Sequence, residues 1–131
     1  MIKLSELKIG DVVNVEYEGI LKEGEVIDID REEKLVCVET DVQDFWYEPE
    51  HLFPISLDDE QLHKFGFQKK ENEDGSVKYM KDAFRILLPK KGDFSAFEIW
   101  YREDRRHIAH PITVHELQNH FSQMTKVELA R

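Results

Sequence analysis

The chain has 131 residues, of which 40% are apolar and 35% charged. That length allows one core of moderate size or two small ones, and together with apolar residues recurring along nearly the whole sequence it excludes both a pair of large domains and a disordered chain. The net charge of −10 is segregated: residues 1–57 carry 15 carboxylates against 5 lysines and arginines, whereas residues 58–131 carry 13 of each sign, so a polyanion would meet repulsion on the first part and none on the second.

The first part reads as short strands. Val13, Val15 and Tyr17 alternate with Asn14 and Glu16, Ile27 and Ile29 alternate with Asp28, and Leu35–Glu39 and Phe45–Tyr47 supply two more β-rich runs. Gly10-Asp11, Gly19, Gly24, the Arg31–Lys34 cluster and Pro49 read as the breaks between them. Several strands in so short a stretch predict a small, strongly bent barrel, because a flat sheet of that size would expose its edges and half its apolar faces. Residues 1–57 are therefore expected to form an acidic SH3-like β-barrel.

Residues 58–131 read as an α+β unit of helix, four-stranded antiparallel meander and C-terminal helix. Asp58 followed by Gln61 predicts an N-cap, Leu57 and Leu62 a hydrophobic staple, and Gly66-Phe67 a left-handed C-terminal cap, which places a helix at Asp59–Phe65. Four strands follow, at Phe67–Glu71, Val77–Lys81, Phe84–Leu88 and Phe94–Tyr101, joined at Asp74-Gly75, Lys81–Ala83 and Gly92-Asp93. Thr113 and Glu116 predict a capping box, and Val114, Leu117, Phe121 and Met124 form one helical stripe to cover the meander.

Two segments carry a resemblance: Pro54-Ile55-Ser56-Leu57-Asp58 leading into Leu62-His63-Lys64-Phe65-Gly66-Phe67, and Val114-His115-Glu116-Leu117-Gln118-Asn119-His120-Phe121. Together they resemble a family of small uncharacterised proteins of gut bacteria, often associated with phages or mobile elements. In that family a "PI-L-T-E-E" opening, a "K-F-G-F" helix end and an "H-x-L-Q-N" helix recur. The resemblance implies the architecture and transfers no catalytic or binding residue. Asp58 stands where threonine is usual, which keeps the cap, and His120 where leucine is common. Ile9-Gly10-Asp11-Val12-Val13 is similar to the opening of many SH3-like barrels of peptide and nucleic-acid binders.

No enzyme is expected. None of Ser5, Ser56, Ser76, Ser95 and Ser122 lies in a G-x-S-x-G elbow, the six glycines are dispersed singly, and Cys37 falls in an apolar strand where its thiol is inert. Neither a cofactor nor a metal is expected. His115 and His120 project in different directions from one helix and His115 reads as a surface or capping group, while Asp28, Asp30, Glu32 and Glu39 match calcium-loop spacing but have Glu33 where the turn needs glycine. The single cysteine, the charges Lys3, Glu6 and Lys8 near the start and the absence of a long apolar run fit a cytoplasmic protein with no membrane partner.

Two clusters remain as candidate sites. In Phe45-Trp46-Tyr47 the middle residue opposes its neighbours, so either Trp46 or the Phe45/Tyr47 pair faces away from the core. The outward group either packs on the second part or docks a protein partner through a basic or proline-containing segment. The other cluster is Trp100 with Arg102, Arg105 and Arg106, where aromatic and basic side chains could hold nucleic acid. Interrupted by Glu103 and Asp104, it otherwise reads as a solvated loop tip pairing its own charges.

Overall fold

The computed structural model of the protein describes residues 2–131. It is a mixed α+β structure that divides into two compact units, the first ending at Ile55 and the second comprising Ser56–Arg131. The division precedes Leu57 because Ser56 bridges to Thr113 and the Leu57 amide donates to the Ile112 carbonyl at 3.3 Å.

The first unit holds β1 (Val12–Tyr17), β2 (Ile20–Asp30), β3 (Leu35–Glu39), β4 (Asp44–Tyr47) and β5 (Leu52–Phe53), all antiparallel in the order β4-β3-β2-β1-β5. No ladder among the described residues joins β4 to β5, so the sheet bends without closing into the expected barrel. The bend has two visible causes. β2 is long enough to pair with β1 by its first half and with β3 by its second, and the register shifts between Val26 and Asp28. Gly24, expected to break the chain, lies inside β2, where an added Cβ would meet Val38 Cγ1 at 2.5 Å and the Glu39 carbonyl at 2.7 Å. Only a residue without a side chain lets β3 approach so closely.

The core of this unit is aliphatic. Val13, Val15, Val26, Val36, Val38 and Leu52 are its centre, and Tyr47 is the one aromatic residue in it. Asp11, fully buried in the turn before β1, is held by the Lys8 ammonium and accepts the Lys8 amide at 3.0 Å. Buried carboxylates need such partners.

In the second unit the predicted caps form. Asp58 Oδ1 accepts the Gln61 amide at 2.8 Å and begins α1 (Asp59–Lys64), and the Phe67 amide returns to the Leu62 carbonyl at 3.1 Å. Glu116 Oε1 accepts the Thr113 amide at 2.9 Å and begins α2 (Val114–Thr125). Between the helices lies an antiparallel sheet in sequential order, β6 (Gln68–Glu71), β7 (Val77–Lys81), β8 (Phe84–Leu88), β9 (Phe97–Tyr101) and β10 (Asp104–Ile108).

The fifth strand corrects the expected four. Arg102 takes a positive φ of 54° and turns the chain directly into β10, so the expected loop tip is a hairpin. One sheet face packs on the helices: Phe84 lies 4.7 Å from Phe121 and 6.1 Å from Phe67 between ring centroids, with Tyr79, Ile86, Leu88, Phe97 and Ile99 buried around it. Beyond α2 the chain doubles back. Gln118 Nε2 donates to the Leu129 carbonyl at 3.0 Å, Leu129 is buried, and the Arg131 guanidinium lies 5.2 Å from the Phe65 ring and donates to Gln61 Oε1. No helix among the described residues is long and apolar enough to cross a membrane.

Candidate functional site

The aromatic run of β4 sits where the β1–β2 hairpin ends. Glu18 and Gly19 both have positive φ, 51° and 79°, which is the two-residue turn that matches strand twist. That turn pairs Tyr17 with Ile20 and presents Tyr17 beside β4. Its ring stands 6.2 Å from Phe45, which in turn meets Tyr47 edge-on at 5.3 Å. Tyr47 reaches down into the core, whereas Tyr17, Phe45 and Trp46 are exposed. Alternation accounts for Trp46, which points opposite to Tyr47. Phe45 is exposed as well, although it pairs with Val38 across the ladder, and its ring leans on Tyr17 and Tyr47.

These four aromatics line an open cleft of ≈ 380 Å³ together with Glu16, Glu18, Glu48 and His51. No lysine or arginine lines it among the described residues. At its rim the chain passes through a single 3-10 turn, Pro49–His51, that gathers Glu48, Glu50 and His51 so that their ligating atoms lie within 4.8 Å of one another. The hydrogen bond between the two carboxyls raises the pKa of Glu48 and lowers that of Glu50. All three are exposed, and exposed carboxylates often gather without a metal, so the trio stands as a negative rim. The arrangement is suited to accept a cation: aromatic faces attract it and carboxylates neutralise it.

The sequence had singled out Phe45, Trp46 and Tyr47, and the structure brings all three to the cleft. It had not singled out Tyr17, Glu16, Glu18 or Glu48. The Glu18-Gly19 pair flanked by strand residues was a usable signal, since a two-residue turn there brings the end of β1 to the edge of the sheet.

The second cluster is divided. Trp100 and Arg105 are cross-strand neighbours on the sheet face opposite the helices, and Arg102 sits in the hairpin turn with its guanidinium 5.1 Å from the Tyr101 ring. Arg106 belongs to the other face, where its Nη1 donates to Gln123 Oε1 and meets His120 Nδ1, each at 3.0 Å. Burial, and then the nearby Arg106, lower the pKa of His120.

Other expectations resolve locally. His115 is buried rather than superficial, with Nδ1 3.2 Å from Thr113 Oγ1. Asp28 and Asp30 spend their carboxylates on nearby backbone amides, as turn-forming aspartates do: Asp28 on Ile29 at 2.8 Å, and Asp30 on Glu32 and Glu33 at 3.1 Å. Cys37 is buried, and its pKa is raised first by burial and then by Asp44, Asp28 and Glu39. Comparison of the chain with protein-family models, curated proteins and solved structures gives no match.

Proposed function

We propose that the protein is a non-catalytic interaction module whose first unit is SH3-like and takes a basic, proline-containing segment of a protein partner in the Tyr17–Phe45 cleft. The observation that carries this reading is the lining: four aromatics and three carboxylates with no lysine or arginine among the described residues. Support for an SH3-like architecture comes from the strand order, with β5 returning beside β1 after a 3-10 turn that follows β4. An extended proline-bearing chain suits such a surface because it is pre-ordered and rests on aromatic rings, while a lysine or arginine beside the prolines meets Glu16, Glu18 or Glu48.

The test is calorimetric titration of the full chain with a short peptide alternating arginine and proline, beside a control with glutamate in place of arginine. Binding of the first peptide alone is expected, weakening as salt rises. Phe45→Ala and the pair Glu16→Gln/Glu48→Gln should each reduce affinity by about tenfold, near 1.4 kcal/mol. Equal binding of both peptides, or affinity unchanged in these surface variants, would remove the reading.

A further inference from the structure

The second unit carries a surface of the opposite character. Across its sheet Lys70 pairs with Lys78, Lys78 with Leu87 and Leu87 with Glu98. Two residues along, Met80, Arg85, Trp100 and Arg105 stand side by side on successive strands. Strand alternation places both rows on the face opposite α1 and α2, and none of these residues is buried. The Trp100 ring is flanked by two guanidiniums, Arg85 at 4.2 Å and Arg105 at 5.0 Å from its centroid, and the indole nitrogen donates to the Arg102 carbonyl at 2.6 Å. That hydrogen bond fixes the ring in place.

The charges on this face are uncompensated. Glu98 is the one carboxylate in the two rows and is already taken by Arg105, whose Nε lies 2.7 Å from it. Lys70, Lys78 and Arg85 make no ion pair among the described residues. In a chain where 28 carboxylates outnumber 18 lysines and arginines, three neighbouring cations without an acidic partner are a segregation. One further feature is unfavourable in the protein alone and would be relieved by an anion. Lys70 stands directly opposite Lys78, a repulsive cross-strand pair.

We propose that this face binds single-stranded nucleic acid, with phosphates on Lys70, Lys78 and Arg85 and bases stacked against the Trp100–arginine array. An open sheet presenting an aromatic ring and planar guanidiniums among cations meets unpaired bases on their faces. A duplex keeps those faces covered. The surface differs from the cleft of the first unit in residues, charge and ligand, so the two proposals stand or fall separately.

The experiment is fluorescence anisotropy of a labelled single strand of about a dozen uridines with the full chain, starting near 20 mM salt, where counterion release favours binding most. Saturable binding is expected, with a slope of log affinity against log salt of about −2, since each neutralised phosphate of a single strand contributes roughly −0.7. Lys78→Gln and Arg85→Gln should each weaken binding severalfold and flatten the slope by about 0.7. Trp100→Leu should weaken it by about 5- to 100-fold, the effect of losing one stacking platform. Lys78 and Arg85 lie outside the core, so their variants keep the test decisive if Trp100→Leu does not fold. Absence of binding at low salt overturns the proposal, as does affinity unchanged in Lys78→Gln and Arg85→Gln. Equally tight binding to a duplex or to inorganic polyphosphate, insensitive to Trp100, overturns it too by reducing the face to a general attractor of anions.

Discussion

The two units solve the same packing problem with opposite placements of their aromatic side chains. In the first, valines, two leucines and Ile2 fill the interior with Tyr47 while Tyr17, Phe45 and Trp46 remain exposed; in the second, Phe67, Tyr79, Phe84, Phe97 and Phe121 all lie in the interior and the outer sheet face is basic. Burying a phenyl ring gains about 2–3 kcal/mol, so a unit that leaves three aromatics at one edge while valines hold its core forgoes stability there. The proposed interaction role rests on that arrangement. In the second unit, whose rings are mostly spent inside, the one aromatic left half-covered on the outer face is braced by two arginines.

Core truncation tests the contrast most strongly. Phe84→Ala removes a fully buried ring wedged between Phe67 and Phe121 and should cost about 3–5 kcal/mol in urea denaturation of the full chain, against about 1–3 kcal/mol for Val38→Ala in the first unit. Equal losses would show that the two interiors are not built differently. Next is Gly24→Ala, where the new methyl must displace Val38 and the Glu39 carbonyl; a loss of about 1–3 kcal/mol from overpacking is expected by the same measurement.

A smaller effect separates the units by pH. The Tyr79 hydroxyl, buried in the second unit, donates to Asp59 Oδ1 at 2.5 Å, and burial first, then Asp59, raise its pKa. A phenol that ionises more readily unfolded than folded loses its proton first in the unfolded state, so stability falls as pH rises past about 10, the ordinary tyrosine value. Asp59 has the reverse sign: Tyr79 and then Lys69 lower its pKa, so the stability it gives is present above the usual aspartate range and is lost as acid protonates it. Tyr79→Phe should cost about 1–2 kcal/mol at neutral pH and remove part of the alkaline decline, both followed by thermal melts across pH. The smallest expected change is Thr113→Ala, which removes one side of the α2 capping box for about 1 kcal/mol.

Which features could be read from the residues follows from how local their causes are. Both helix starts, the α1 stop and the strands Leu35–Glu39, Val77–Lys81 and Phe84–Leu88 are set by neighbours a few positions apart, and they lie where caps and alternation place them. β10 was hidden because its turn uses Arg102 at positive φ, where glycine or asparagine would have signalled it, and because Asp104–His107 is polar throughout. Gly24 reads as a break in any local view; its role depends on β3 passing over it. The cleft was half legible for the same reason: Phe45, Trp46 and Tyr47 are contiguous, but Tyr17 and Glu16 join them only through the hairpin. The basic face was the least legible, since Lys70, Lys78, Arg85 and Trp100 become neighbours only once the strand register is known.

The doubling-back of the last residues has a practical side. Because Leu129 fills a gap beside Gln118 and Arg131 lies against Phe65, these residues work as a strap from α2 to α1. Leu129→Ala or Arg131→Ala therefore loosens the second unit and lowers its melting temperature, where the same changes in a loose segment would leave it unmoved.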